Sequence, residues 1–364
     1  MPEQKFINQM EPWYGEEEKA AVAEYLNSGG WLMEFKKTRE LEKMISDFTG
    51  AKFCSVVANG TVSLFIALKA IGIEKDDEVI VPDFTMIATP NAVVLAGAKP
   101  VLVDVDESIC LDPDKVAAAI TSKTKAVMHV SINGRAGKLK ELRELCRGKG
   151  LVLLEDAAQS LGSFFQGKHL GTYGVIGSFS FSVPKIITMG QGGALITDDE
   201  ELYKKICKIK DFGRVSGGVD IHDEFGWNFK FTDLQAVFGI AQMKKLAGRV
   251  ERKKQIGKLY QKLLSDIPSV KTVATDFAEV PPWFVEILVP EPEKLRDYLK
   301  SRGIGTRVFY PAIHTQKIYR YVQGDFPQAD YFGRHGLWLP SASNLSDEEI
   351  SRVVQTIREF FSEN

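Results

Sequence analysis

The chain has 364 residues, 44% hydrophobic and 26% charged, with 46 basic against 48 acidic side chains. That length supports a sizeable core and two domains, and the near-neutral balance excludes a nucleic-acid binder held by bulk electrostatics. Cys54, Cys110, Cys146 and Cys207 form no CxxC pair, which excludes zinc-ligand spacing and a disulfide framework and points to a reducing compartment.

The polar start of the sequence has no signal-peptide core, and no window reaches the roughly 18–20 apolar residues that span a bilayer, so a cytoplasmic protein is expected. Gly15 to Lys19 opens a helix with an acidic first turn, carrying Ala20, Val22 and Leu26 on one side. A second helix, about 38–49, presents Leu41, Met44, Ile45 and Phe48. Phe53–Val57 reads as a buried strand, followed by Asn59-Gly60-Thr61 and a helix over 62–70. A strand, a Gly-Thr turn and a helix suit a phosphate, because free N–H groups and the helix dipole favour an anion there. The alternative is a plain N-cap by Thr61.

Strands over 78–82, 100–105, 126–130 and 151–156 then alternate with helices over 91–96, 112–120 and 139–146. This β–α alternation, with nearly unbroken aliphatic strands, predicts a mainly parallel sheet covered on both faces. Ligands of such sheets sit beyond the strands' carboxyl ends. Thr61, Met86, His129, Asp156 and Lys185 all fall at or just past such ends, so they are candidates for one site. Asp156 needs a partner if buried; it reads either as the cap of a following helix or as counter-ion to a ligand cation such as a protonated pyridine.

The stretch 177–193, GSFSFSVPKIITMGQGG, alternates serine and phenylalanine in strand period before Pro184 ends the run. Lys185 follows among Val183, Pro184, Ile186 and Ile187. Desolvation there favours the neutral, nucleophilic amine; the plainer reading is a hairpin bearing a surface lysine. A helix runs to about 210, a glycine-rich loop covers 212–222, and Phe225, Trp227, Phe229 and Phe231 alternate with Gly226, Asn228 and Lys230. The aromatic row either fills the chain's own core or faces a second copy. Thr232-Asp233 caps a helix through 243–245, and a separate basic helix over 250–265 leads into a smaller α+β part that ends in a helix with Ser346 and Glu349 in capping-box spacing. The expected domains are 1–245 and 246–364.

Asn59-Gly60-Thr61, Glu155-Asp156-Ala157-Ala158-Gln159, Ser178 to Phe181 with Lys185, Gly190 to Gly193, Gly226-Trp227-Asn228 through Gln235, and Pro311 to His314 share the order and spacing of one family. The chain resembles the DegT/DnrJ/EryC1/StrS sugar aminotransferases, pyridoxal-phosphate (PLP) enzymes, along nearly its whole length. The resemblance implies the aspartate-aminotransferase fold (fold type I), α/β with a large PLP-binding domain and a smaller α+β C-terminal domain. It implies that Lys185 forms the Schiff base with PLP and shuttles a proton. Asp156 would pair with the pyridine nitrogen, Gln159 lie near the ring's 3-oxygen, and Gly60, Thr61 and Ser180 hold the phosphate. Asn228 would reach the phosphate in a neighbouring subunit, giving a homodimer with shared sites. His314 and Lys230 would face the nucleotide-sugar.

Two positions depart from the family. Met86 stands where an aromatic usually covers the ring, and Lys36 or Lys37 where glycine is common. Asn228 to Asp233 resembles 4-amino sugar enzymes of the perosamine type, so the expected reaction moves an amino group, from glutamate, to a nucleotide-linked 4-keto-6-deoxysugar, with GDP preferred to dTDP or UDP. Alternatives are amination at C3 and a non-catalytic regulator that kept the fold. A related dehydratase branch carries histidine at the lysine position, and Lys185 argues against it. The Gly190–Gly193 cluster lacks the strand–GxGxxG–helix context of a dinucleotide site.

Overall fold

The computed structural model describes residues 5–363; Met1 to Gln4, the beginning of the polar N-terminal stretch, lie outside them. Seven strands form the main sheet in the order Phe53–Val57, Gly193–Thr197, Ile176–Ser180, Val152–Asp156, Thr124–Val130, Glu78–Pro82, Lys99–Val103. Gly193–Thr197 runs antiparallel to both neighbours, and the other pairs are parallel. Val79, Ile80, Val81, Ala126, Val127 and Met128 are all 0% exposed, as two helix-covered faces require. The expected mainly parallel sheet is therefore present, with its carboxyl ends along one edge.

The helix after the first strand, Gly60–Ala70, is capped by Asn59, whose side chain accepts from the Val62 N–H. The cap is thus Asn59, not Thr61. Residues 157–160 form a turn rather than a helix, so Asp156 is no helix cap, although its Oδ1 accepts from the Ala158 N–H at 3.2 Å. Ile176–Ser180 and Gly193–Thr197 do make the expected hairpin.

Two helices differ from expectation. The first, Glu16–Asn27, leaves Leu26 51% exposed and buries Glu18 completely. Glu18 accepts from Gly15 N–H, Gln242 Nε2 and Lys245 Nζ, so polar bonds rather than an apolar stripe pin this helix. The separate helices expected over 233–245 and 250–265 are one, Asp233–Leu264. Gly248 alone is a weak breaker. Leu246 at 0% exposure and buried Arg249, bonded to Trp13 O, Ile186 O and Gln242 Oε1, hold the chain helical through it. Position 245/246 therefore lies inside a continuous helix.

Beyond it, Glu286–Leu288, Gly336–Trp338 and Arg307–Val308 form a three-stranded antiparallel sheet. It packs with Pro292–Ser301 and Asp347–Glu363 around Ile256, Tyr260, Leu295, Leu337 and Ile357. Ser346 and Glu349 make the reciprocal capping box.

Candidate active site

Helix Gly60–Ala70 points its N-terminus at the carboxyl edge of the sheet, beside Ser180. Asn59 satisfies Val62 N–H, and Asn59 O takes Ser63 N–H. Among the described residues no acceptor takes the N–H groups of Gly60 and Thr61. Two free donors, a positive helix end and the Ser180 hydroxyl make an anion site.

Asp156 ends the central strand Val152–Asp156 and is buried. Its Oδ2 accepts from Thr89 Oγ1 at 2.8 Å. These bonds come from neutral groups, and no described cation forms an ion pair with it. Burial pushes its carboxyl above the usual range, with Thr89, Ala158 and Lys185 pulling the other way. A buried carboxylate in that state suits a cation brought by a ligand.

Lys185 lies past the strand end, on a turn closed by its own N–H to Ser182 O at 3.1 Å. The residue is only half-buried, but the protein around its amine lowers the pKa to about 8, against a smaller upward pull from Asp156. Its Nζ sits 4.5 Å from the centroid of the Trp283 ring. Trp283 Nε1 in turn donates to Pro184 O at 2.7 Å, fixing the turn that presents the lysine. The amine lies against the Trp283 ring and is not ion-paired among the described residues, which favours the desolvated-amine reading over the surface-lysine one.

Gln159 is 8% exposed, and its Oε1 accepts from Asn133 N–H at 2.8 Å. Met86 is 45% exposed just past the exit of Glu78–Pro82. Phe84 is fully buried against Phe309, Tyr310 and Phe332 and cannot replace it. His129 does not join the site. It is fully buried, neither ring nitrogen has a hydrogen bond among the described residues, and burial takes its imidazole down to about 4.

His314 arrives from the C-terminal part. Its Nδ1 lies 2.6 Å from Asp83 Oδ2, its main-chain N–H donates to Asp83 Oδ1 at 2.8 Å, and its ring stacks on Phe326. Asp83 directly follows Glu78–Pro82, so this pair brings His314 to the same sheet edge. Asn228 is exposed, and its amide has no hydrogen bond among the described residues. The Lys230 ammonium ion-pairs with Asp211 over the Phe212 ring, while its main chain bridges to Val57. Of the aromatic row, Phe231 is buried at 1%, whereas Phe225 is 94% and Trp227 39% exposed. The row is therefore split between core and surface.

A sequence model of the DegT/DnrJ/EryC1/StrS aminotransferase family matches residues 12–358. The chain belongs to this family. It is accordingly an enzyme, a PLP-dependent aminotransferase of the sugar-modifying group. It is 35% identical over 364 residues to GDP-perosamine synthase of Escherichia coli O157:H7, covering 99% of this chain and 100% of the relative. It is 31% identical to GDP-perosamine synthase of Vibrio cholerae, covering 97% and 98%. Among solved structures, the aminotransferase TlmJ from Streptoalloteichus hindustanus superposes with a TM-score of 0.93 at 29% identity, over 98% of this chain and 99% of that one. The likeness to this family thus extends over nearly the whole chain.

The sequence does not single out Trp283, Thr89, Asp83 and Asn133, which contact the candidate residues Lys185, Asp156, His314 and Gln159. Thr89 and Asp83 lie within three residues of Met86 in sequence, and that proximity was the available signal. Trp283 and Asn133 carried none, because each reaches the site through a contact distant in sequence. The sequence places Asp233 in the cap of its own helix. Thr232 caps that helix, and Asp233 instead accepts from the N–H groups of Phe35, Lys37 and Thr38. It thereby holds the segment where Lys36 and Lys37 replace the family's common glycine.

Proposed function

We propose that this aminotransferase passes an amino group from glutamate to a nucleotide-linked 4-keto-6-deoxysugar, GDP-linked by preference, in making an amino sugar for a surface polysaccharide or glycoconjugate. When bound, PLP supplies the aldehyde that carries the amino group and a ring that draws electrons from the reacting carbon.

The chain's own residues do the holding and the proton transfer. Gly60 and Thr61 N–H groups and the Ser180 hydroxyl hold the phosphate. Asp156 keeps the pyridine nitrogen protonated, and that cation offsets the cost of burying the carboxylate. Lys185, with its pKa lowered to about 8, keeps about a tenth of its amine neutral at pH 7, far more than an ordinary lysine, so Nζ would hold the aldehyde and move a proton. Gln159 faces the 3-oxygen. Met86, exposed and with its sulfur accepting from the Ala88 N–H at 3.0 Å, covers a ring face through its polarizable side chain. Asn228 reaches the phosphate in a second copy of the chain, a reading its exposed, unbonded amide supports. The working unit is then a cytoplasmic homodimer. His314 and Lys230 contact the nucleotide-sugar, Lys230 after exchanging its Asp211 partner.

One observation carries the reading: a buried Asp156 without a cation, a lowered Lys185 amine and two free helix N–H groups stand at one sheet edge. GDP is favoured because both curated relatives reported above are GDP-perosamine synthases. Purified protein supplied with PLP is expected to show a visible absorption band that disappears on adding glutamate. Subsequent GDP-, dTDP- and UDP-linked 4-keto-6-deoxysugars are expected to restore it, GDP fastest. A band insensitive to glutamate, or no band, overturns the proposal.

A further inference from the structure

Gln159 is held by its oxygen. The group 2.8 Å from Oε1 is the main-chain N–H of Asn133. A main-chain N–H donates and never accepts, so it faces the amide oxygen and not the amide nitrogen. The usual ambiguity between the two ends of a glutamine amide is thereby removed. With Oε1 engaged, the two Nε2 hydrogens are what Gln159 offers to anything else.

Asn133 is itself fixed. Its φ of 50° and ψ of 26° lie in the left-handed region, where asparagine settles more readily than most residues. Its Nδ2 donates to Glu286 Oε2 at 2.5 Å. Arg135 forms a buried ion pair with Oε1 of the same carboxylate, and its Nε donates to Ser108 O at 3.0 Å. Glu286 opens the strand Glu286–Leu288 in the C-terminal part. A carboxylate from that part, gripped by Arg135, thus anchors the Asn133 side chain, and the Asn133 main chain orients Gln159.

We propose that Asn133 and Glu286 are positioning residues for Gln159, locking its amide so that Nε2 donates to the 3-oxygen of the cofactor ring. This rests on the PLP reading of the site. An unlocked glutamine also samples the reverse orientation, in which two acceptor oxygens face each other. A locked donor favours the ionised 3-oxygen and lowers its proton affinity.

The test is a pH titration of the visible band of bound PLP, with the PLP dissociation constant and the melting temperature measured alongside. Gln159→Ala is expected to move the titration midpoint upward and weaken PLP binding about tenfold, the loss of one good hydrogen bond. Asn133→Gly keeps the left-handed backbone accessible but removes the anchor. It is expected to move the midpoint in the same direction by less. Asn133→Gly/Gln159→Ala is expected to equal Gln159→Ala alone, because Asn133 acts through Gln159. Glu286→Ala, which removes the carboxylate from Asn133, is expected to move the midpoint as Asn133→Gly does and to melt lower, because it leaves the buried Arg135 charge unpaired. If Asn133→Gly lowers only the melting temperature while Gln159→Ala moves the midpoint, or if the double variant is additive, the positioning role is overturned. Wild-type protein with no PLP band overturns the PLP reading instead.

Discussion

Gly60 and Ser180 meet so closely that a Cβ on Gly60 would lie 2.9 Å from the Cβ of Ser180. One belongs to a helix start and the other to a strand end, and their approach sets the width of the proposed phosphate cradle. Gly60→Ala must push the two apart. Alanine favours the helix by up to ~1 kcal/mol, so the fold is expected to survive. PLP binding is expected to weaken by about tenfold or more, a loss of ~1.4 kcal/mol or greater. Absorption titration of the variant checks this; wild-type affinity would remove Gly60 from the phosphate site.

Lys185→Ala is expected to abolish transamination in a folded protein. The lysine also leaves a signature in cofactor-free stability. Its folded pKa of about 8 lies below the ordinary 10.5. Between those values the unfolded chain holds the proton and the folded chain does not, so stability rises with pH through that window. Denaturant titrations from pH 7 to 11 are expected to show this rise in wild type and a smaller one in Lys185→Ala. Equal profiles would mean that burial does not bear on the amine.

Asp156→Asn separates stability from activity. The carboxylate is buried without a cation in the cofactor-free protein, so removing its charge is expected to raise the cofactor-free melting temperature or leave it unchanged. Turnover is expected to fall by about a hundredfold or more once the partner of the ring nitrogen is neutral. A variant that melts much lower and keeps its rate would make Asp156 a structural residue.

The Asp83–His314 pair sets an acid limit. Burial raises the Asp83 carboxyl to about 6, against His314 pulling it down. Below that pH Asp83 is protonated and its two oxygens no longer offer His314 a charged acceptor, so KM for the sugar nucleotide is expected to climb as pH drops through about 6. The folded pKa exceeds the ordinary 3.8, so the group costs stability increasingly as pH rises from 3.8 to 6. Asp83→Asn is expected to flatten the KM profile and melt no lower than wild type at neutral pH. An unchanged profile would detach the pair from substrate binding.

Asn228→Ala is expected to weaken PLP retention about ten- to a hundredfold, for a charge-assisted hydrogen bond worth ~1.5–3 kcal/mol. Mixed with Lys185→Ala protein, it is expected to regain activity, because one site of each heterodimer then carries both defects and the other neither. Mass spectrometry of differently tagged subunits verifies exchange. Confirmed exchange without activity would place Asn228 in its own subunit's business or none.

Most strands were legible because their signal is local. Aliphatic runs such as Val79 to Val81 specify burial by themselves, and β–α alternation leaves few ways to cover the sheet. Asp156, Gly60 and Lys185 were legible for the same reason: each is a residue whose chemistry is unusual for its local address. The long helix was not legible, because Gly248 is a weak break locally and only the anchors of Leu246 and Arg249 overrule it.

Sequence alone thus determined the mainly parallel sheet, most but not all of the candidate residues at its carboxyl edge (His129 is buried away from it) and, by resemblance, the family. The tertiary structure alone decided which polar groups meet. Asn133 reaches Gln159, Asp83 reaches His314, Trp283 reaches Lys185, and Asp233 caps a helix nearly 200 positions away. Hydrogen bonds and ring contacts act over a few ångströms. Partners so far apart along the chain therefore leave no pattern in it until folding brings them together.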